Sequence, residues 1–179
     1  MRALLLAATL TGAPAQADPW FLHPFGELRS YHGDWLAVCA ESGDGPCRAV
    51  QLALRDGDDP FFGSSRLAVH PGRDGRYRIE VYDDGMPEAR VDQVVFDFGE
   101  AEMSLASRGF SKGSVDGVNV AETIAILDQD LAARIARLIR EENRVRVRYA
   151  EGDVVLGEAE FSLRGSAAAL RAIEAHRRP

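Results

Sequence analysis

The chain contains two cysteines, Cys39 and Cys47, and no other thiol. Two thiols at this spacing can form a structural disulfide, act as a redox pair, or bind a metal. A redox-active pair favours the Cys-x-x-Cys spacing at a helix N-terminus, which lowers a thiol pKa, and the sequence predicts neither feature here. A zinc site needs further ligands, and no histidine lies at ligand spacing from the pair. The spacing therefore favours a structural disulfide.

A second residue that could carry chemistry is Ser111, in the stretch Gly-Phe-Ser-Lys-Gly at residues 109–113. This stretch matches the G-x-S-x-G pattern of a hydrolase nucleophile elbow, which needs a buried strand before the serine and a helix after it. Residues 114–118 are a poor start for a helix, and none of the four scattered histidines is tied to Ser111 by sequence. We expect no enzymatic activity, with a small periplasmic serine hydrolase using Ser111 as the alternative.

Metal and cofactor motifs are also weak. Residues 56–59 are acidic enough to suggest calcium, but the spacing that follows fits no twelve-residue loop ending in glutamate. An Asp-Gly turn before Pro60 is the better interpretation. The sequence has no glycine-rich phosphate loop and no dinucleotide fingerprint. We therefore expect no metal, no cofactor and no catalytic residue.

The N-terminal segment has the features of a cleavable export signal. Arg2 supplies a positive charge, residues 3–10 form an apolar run too short to span a bilayer, and residues 15–17 have the small-x-small pattern of a cleavage site. We expect a signal peptide over residues 1–17 and a periplasmic or secreted mature chain. In that compartment the two cysteines are expected to form one disulfide. No other apolar run predicts membrane insertion.

Length and charge limit the possible binding partners and the number of domains. The chain has 28 acidic and 21 basic residues, a net charge of −7. This balance argues against nucleic-acid binding and against adsorption to anionic lipids, both of which need clustered positive charge. Residues 18–179 are enough for one core of ordinary size, so we expect a single domain.

Short strands with polar turns dominate the chain up to residue 106. Segments 35–40 and 48–54 are predicted strands, and the turn formers at 41–46 would join them as a hairpin with Cys39 facing Cys47. Further strands are predicted at 67–69, 77–82, 89–98 and 103–106. In the 77–82 strand the alternation places Ile79 and Val81 on the buried face and Arg78 and Glu80 on the exposed face.

The C-terminal third predicts a helix, a hairpin and a second helix. Asp128 can cap a helix over residues 129–142, with three arginines at 134, 137 and 140 on its solvent face. Strands at 143–149 and 154–163 would be joined by a three-residue loop, and Ser166 would cap a helix over 167–174. That loop pairs residues as follows: Arg144 with Glu160, Arg146 with Glu158, Val145 with Ala159, Val147 with Gly157, and Tyr149 with Val155.

Aromatic residues are the candidates for contact with a partner. Trp20, Phe21 and Phe25 follow the predicted cleavage site, and Phe61 and Phe62 follow the acidic turn. Exposed aromatics are enriched at protein interfaces. The alternative is that the N-terminal segment folds onto the sheet and buries these rings.

Two short motifs carry a family resemblance. Gly33-Asp34-Trp35, followed by Cys39 and Cys47, resembles the opening of the invasion-associated locus B family of exported bacterial proteins. The ending is similar too, with an apolar strand at 123–127, a helix, a Val-x-Val strand and then Phe-Ser-Leu-Arg-Gly at 161–165. A related family of periplasmic proteins of unknown function shares the Trp-x-x-x-Cys opening and a Ser-Leu-x-Gly ending.

The resemblance implies a mainly β fold, a single antiparallel β-sandwich-like domain with two short helices in the C-terminal half. It also implies a non-enzymatic protein of the cell envelope or outside the cell, connected in some pathogens with entry into host cells. Members often carry a second cysteine pair before the penultimate helix, and residues 117–121 contain none. We expect a binding module whose partner is an envelope protein, a host protein or a glycan.

Overall fold

The computed structural model describes residues 19–53, 64–72, 74–86, 91–113 and 122–177. Within these ranges the chain forms twelve strands and two α-helices. The strands are β1 (Phe21–Leu22), β2 (Leu28–His32), β3 (Trp35–Cys39), β4 (Cys47–Ala53), β5 (Ser65–Pro71), β6 (Tyr77–Asp83), β7 (Gln93–Asp97), β8 (Glu102–Ala106), β9 (Phe110–Lys112), β10 (Thr123–Ile126), β11 (Arg144–Glu151) and β12 (Val154–Ser162). The helices are α1 (Gln129–Glu141) and α2 (Ser166–His176).

The strands form two antiparallel sheets. The large sheet has the order β1-β2-β3-β4-β5-β6-β10-β9, and the small sheet has the order β12-β11-β7-β8. Neighbours in the large sheet from β1 to β6 are also neighbours in sequence, so this part is a simple meander of hairpins. The prediction of a mainly β, sandwich-like chain with two helices late in the sequence is confirmed.

One face of the large sheet forms most of the core. Alternate residues of its strands, such as Ala37, Ala49, Val69 and Ile79, share one cluster with residues of both helices and of the small sheet. Because side chains alternate between the two faces of a strand, these residues all lie on one side. The helices and the small sheet therefore cover the inner face, and the opposite, outer face is free of them.

A buried carboxylate joins the two sheets. Asp83, at the end of β6, is fully buried and accepts a hydrogen bond of 2.5 Å from the hydroxyl of Tyr149 on β11. Its other oxygen accepts bonds from the Ser65 hydroxyl and the Gly85 backbone N–H. Burying a charge is costly unless it is hydrogen-bonded, and here both oxygens have partners. The contact fixes β11 against β6.

The predicted pairing of β11 with β12 is wrong by two residues. Arg146 pairs with Glu160 rather than Glu158, and Tyr149 pairs with Gly157 rather than Val155. The connection has two residues instead of three, and the register shifts between Tyr149 and Ala150, where a bulge takes up one residue of β12. A Cβ at residue 157 would collide with the Tyr149 ring, so the observed pairing needs glycine there.

The same correction applies to the other pairs in this hairpin. Arg144 lies opposite Ser162 and not opposite Glu160. Val145 lies opposite Phe161, and Val147 lies opposite Ala159. Val155, which the prediction placed over the core, is exposed together with Val154. Because the shift is an even number of residues, each side chain of β11 stays on its predicted face.

Both helices form where they were predicted, with two differences in detail. Asp128 caps α1, because its carboxylate accepts hydrogen bonds of 3.0 Å from the backbone N–H groups of Asp130 and Leu131. Arg140 is not on the solvent face but forms an ion pair of 2.5 Å with Glu174 of α2. Ser166 does not cap α2: its hydroxyl donates to the Ile139 carbonyl, and Gly165 occupies the cap position.

Candidate interaction surface

The two cysteines form a disulfide across the β3–β4 hairpin. Cys39 and Cys47 are directly paired in the antiparallel register, with their Cα atoms 4.0 Å apart. Both residues are buried in the core of the inner face. Antiparallel neighbours at this distance can be bridged, and the predicted bond is present. It closes the turn that carries residues 40–46.

The opening and ending motifs meet in space. Asp34, in the β2–β3 turn, forms a bidentate pair with the Arg164 guanidinium at 2.5 and 3.1 Å. Its carboxylate also accepts a bond of 2.6 Å from the Ser162 hydroxyl, and the Trp35 indole N–H donates to the Ser162 carbonyl. The bonds from Arg164 and Ser162 hold the pKa of Asp34 below its ordinary value. These motifs therefore have a structural role: they attach the end of β12 to the β2–β3 turn.

Charged side chains line the outer face of the large sheet beside β2. The Glu27 carboxylate accepts bonds from Arg29 at 2.5 and 2.9 Å and from Arg48 at 3.0 Å. Partial burial alone would raise the pKa of Glu27, but the bonds and charges of the two arginines outweigh it and lower the pKa. This cluster fixes the two guanidinium groups in place on the sheet surface.

A second charged cluster lies on β5 and β6. Glu80 contacts His70 at 3.3 Å and Arg78 at 2.8 Å. The prediction that Glu80 is exposed is wrong, since its residue is only 7% exposed. Burial by itself raises the pKa of Glu80, but His70, Arg78 and Arg66 together lower it. The alternating pattern placed Glu80 on the correct face of the strand, but contacts with His70 and Arg78 on that face help to cover its carboxylate.

Three aromatic rings are exposed at the β1 edge of the outer face. Phe21 on β1 and Tyr31 on β2 stack with their ring centroids 5.8 Å apart, and they are 38% and 48% exposed. Phe25, in the connection between them, is 81% exposed, and the Arg29 guanidinium lies 5.9 Å from its ring centroid. We call Phe21, Phe25 and Tyr31 the aromatic edge. The sequence did not identify Tyr31. On β2 this residue lies between Ser30 and His32, which are both buried, so Tyr31 faces the opposite side of the strand.

The segment that carries the aromatic edge is held by backbone bonds. His23 N–H donates to the Glu27 carbonyl at 2.8 Å, and Gly26 N–H donates to the His23 carbonyl at 2.9 Å. The Gly26 carbonyl accepts a bond of 2.8 Å from Ser42 N–H, which lies in the turn closed by the disulfide. The rings are therefore displayed from a fixed loop, which lowers the entropy that binding would cost.

The remaining predicted contact residues have different outcomes. Trp20 is partly buried, packs against the core and lies 5.1 Å from the His176 ring at the end of α2. Trp20 therefore folds onto the protein, as the alternative interpretation expected, whereas Phe21 and Phe25 are exposed. Phe61 and Phe62, the acidic turn at 56–59 and the signal segment at 1–17 lie outside the described residues.

Ser111 lies in a strand and not in a nucleophile elbow. It is the central residue of β9, where it pairs with Ala125 of β10. An elbow places the serine on a sharp turn between a strand and a helix, and the described residues around Ser111 have no such turn. Within the same part of the chain no histidine donates to or accepts from its hydroxyl.

A different serine does contact a histidine. The Ser30 hydroxyl lies 3.1 Å from Nε2 of His32, on the inner side of β2. The two residues are 1% and 5% exposed. A substrate would have to displace packed core atoms to reach this pair, so we interpret the contact as a buried hydrogen bond. Its signal in the sequence is the i, i+2 spacing, which places both side chains on one face of a strand.

Two further properties concern metals and membranes. Among the residues that the structure describes, no three His, Cys, Asp or Glu side chains group closely enough to hold a metal ion. The described helices α1 and α2 are too short or too polar to cross a membrane.

Comparison with known proteins gives one informative similarity. No family model matches the chain, and no curated protein matches it. Among solved structures, the fold is similar to the crystal structure of invasion associated protein B from Bartonella henselae, with a TM-score of 0.58 and 16% sequence identity. The match covers 83% of this chain and 96% of that one. The similarity establishes a shared fold, in agreement with the β-sandwich-like architecture that the sequence motifs implied.

Proposed function

We propose that this protein is a non-catalytic, exported module that binds another protein through the aromatic edge. The observation that carries the proposal is the exposure of Phe21, Phe25 and Tyr31, with Phe21 stacked on Tyr31 and Phe25 beside Arg29, on a segment held by backbone bonds. Exposed Phe and Tyr beside an arginine is the composition of interface hot spots. Arg29 is already bound by Glu27, so the partner would be recognised mainly through the rings.

The fold and the disulfide support a location outside the cytoplasm. A covalent bond between Cys39 and Cys47 persists in an oxidising compartment, which agrees with the export signal expected at residues 1–17. The structural neighbour is named for an association with invasion. From this we propose for this chain only that it is an envelope or secreted protein that contacts a partner, and not that it takes part in invasion. The serine hydrolase alternative loses support because Ser111 lies within β9.

Site-specific photocrosslinking in the envelope tests the proposal. A photoreactive residue at position 25 should capture one partner protein in good yield. The same residue at position 155 is the matched control, because Val155 is also exposed but lies on the small sheet. Phe21→Ser with Phe25→Ser should weaken partner binding by about 2 kcal/mol or more, roughly 30-fold. Val154→Ser with Val155→Ser should leave it unchanged.

Two results would count against the proposal. Equal capture from positions 25 and 155 would mean that the aromatic edge is not the contact surface. An ester- or peptide-hydrolysing activity that disappears in Ser111→Ala would instead support the enzyme alternative. A partner that is a glycan would appear as binding to purified envelope polysaccharide that survives protease treatment, and it would contradict the choice of a protein.

A further inference from the structure

A cleft with basic walls lies at one end of the large sheet, and none of its lining residues belongs to the aromatic edge. It is open to solvent and has a volume of about 360 Å³. It lies where the start of β4, the end of β5 and the start of β6 meet the start of α1 and the residue that follows α2. The side chains that matter for its chemistry are His70, Arg76, Tyr77, Arg78, Gln129 and Arg177. These come from four separate segments, so the cleft exists only in the folded chain.

The basic side chains in the described lining of the cleft contrast with the acidic character of the whole chain. The chain carries a net charge of −7, yet the described lining has three arginines and a histidine and no carboxylate. Glu80 pairs with Arg78 and His70, and Asp74 pairs with Arg76, although neither carboxylate lines the cleft. Arg177 instead donates to the Pro71 carbonyl. Low-dielectric walls lined by one sign of charge focus the electrostatic field and concentrate ions of the opposite sign. The lining therefore favours an anion.

Hydrogen bonds hold the main chain of Arg76 and the side chain of Arg177 at the cleft. The Gly72 N–H donates to the Arg76 carbonyl at 2.6 Å, and the Arg76 N–H donates to the Asp74 carboxylate at 3.1 Å. The turn is tight, because a Cβ at residue 72 would lie 2.6 Å from that carboxylate oxygen and 3.0 Å from the Arg76 carbonyl oxygen. Arg177 donates from Nη1 to the Pro71 carbonyl. A guanidinium has five donors, so one such bond fixes the group without saturating it.

An aromatic wall stands beside the arginines. Tyr77 is partly buried, and its hydroxyl accepts a bond of 3.4 Å from Arg140 of α1, which sets the direction of the ring. The Gln129 side chain adds a neutral donor and acceptor to the lining. A cleft of this volume is within the range that holds a small organic molecule. Charge, ring and amide together suit a small cyclic anion.

We propose that this cleft binds a small anionic sugar, with Arg76 and Arg177 holding the carboxylate or phosphate and Tyr77 packing against the sugar ring. Guanidinium groups bind both anions through paired, charge-assisted hydrogen bonds. The site shares no lining residue with the aromatic edge and does not depend on the function proposed above.

The test is a titration of the exported, isotope-labelled protein at low ionic strength, followed by amide NMR. The probes are glucuronate, glucose 6-phosphate, inorganic phosphate and uncharged glucose. Both anionic sugars should give saturable shifts at the amides of residues 70–78 and 177, and glucose should give none. Removing one charge-assisted contact, as in Arg76→Gln or Arg177→Gln, should weaken binding about tenfold. Arg137→Gln, an exposed change on α1, and Phe25→Ser should bind as the unmodified protein does.

The outcomes separate the parts of the proposal. Tighter binding of glucuronate identifies a carboxylate as the anion, and tighter binding of glucose 6-phosphate identifies a phosphate. Inorganic phosphate binding as tightly as glucose 6-phosphate would overturn the role of the ring. No saturable shift with any probe, or equal affinity in the Arg76→Gln and Arg177→Gln proteins, would overturn the site. The Arg76 side chain is exposed, so its variant is expected to fold, and the spectrum itself reports whether it has.

Discussion

At the scale of single residues, glycine permits the contact between the two motifs. Gly165 has a φ of 96°, in the left-handed region, and a Cβ there would collide with the His32 carbonyl. Across the contact, a Cβ at Gly33 would lie 2.8 Å from the Arg164 carbonyl. The two backbones therefore approach closely because neither residue has a side chain.

We expect Gly165→Ala to destabilise the protein strongly. The left-handed backbone costs an alanine about 1–2 kcal/mol, and the collision with His32 adds about 1–3 kcal/mol. Gly152→Ala is the matched control, because Gly152 also has a positive φ but nothing lies near its Cβ. Urea unfolding should show the larger loss for Gly165→Ala. Equal losses in the two variants would mean that the close approach does not matter.

Glu80 predicts a pH-dependent contribution to stability. Its pKa in the folded protein is lower than the ordinary value of 4.5, so the folded state favours the charged form. Stability from this group is therefore fully present above pH 4.5 and is lost as the pH falls through the lowered pKa. Arg78 and, when protonated, His70 supply the attraction.

Glu80→Gln should lower the free energy of unfolding by about 1–2 kcal/mol at pH 7, because Arg78 loses its buried counter-ion. The difference from the unmodified protein should disappear in acid, once Glu80 is itself protonated. Asp74→Asn removes an exposed ion pair with Arg76 and should cost less than about 1 kcal/mol. Chemical denaturation at several pH values measures all three proteins. A Glu80→Gln effect that does not change with pH would contradict the assignment.

At the scale of elements, the β3–β4 hairpin is the part that the sequence predicted best. The turn formers at residues 41–46 and the apolar strands on both sides led to antiparallel pairing, and Cys39 does lie opposite Cys47. Local signals were sufficient because the two strands are adjacent in sequence. Cys39→Ala with Cys47→Ala should reduce stability by about 2–3 kcal/mol, through the larger entropy of the unfolded chain.

Reduction of the disulfide gives the control for that prediction. The urea midpoint of the unmodified protein should fall when a reductant is added, and the midpoint of the double variant should not change. A midpoint that is insensitive to reductant in the unmodified protein would show that the bond contributes nothing. Measurement under both conditions separates the loss of the crosslink from the loss of packing at two buried positions.

The β11–β12 hairpin shows where local signals are insufficient. Alternation identified both strands and their faces, but the register depends on a bulge near Ala150 and on the fit of Tyr149 over Gly157. Tyr149 lies directly before the bulge, and its hydroxyl also donates to Asp83 on the other sheet. A contact between residues 66 positions apart leaves no periodic pattern in the sequence.

At the scale of the whole molecule, the export signal expected at residues 1–17 leads to a prediction that amino-terminal sequencing can check. Protein recovered outside the cytoplasm should begin at Asp18, because residues 15–17 have the small-x-small pattern of signal peptidase sites. Ala17→Leu should block processing, since a small residue is needed directly before the cut. Gln16→Leu is the control and should be processed normally. A mature protein that begins elsewhere would contradict the assignment of residues 1–17.

The sequence by itself determined the properties that depend on neighbours along the chain: a mainly β composition, most of the strands, the start of α1 at Asp128, and a disulfide between Cys39 and Cys47. Alternation, capping and turn formation act over a few residues, so they can be recognised without a fold. The tertiary structure decided which distant segments meet. It joined Asp34 to Arg164, placed Tyr31 beside Phe21, and assembled a basic cleft from four segments. Such contacts depend on how the two sheets and the helices pack together, which no short stretch of sequence specifies.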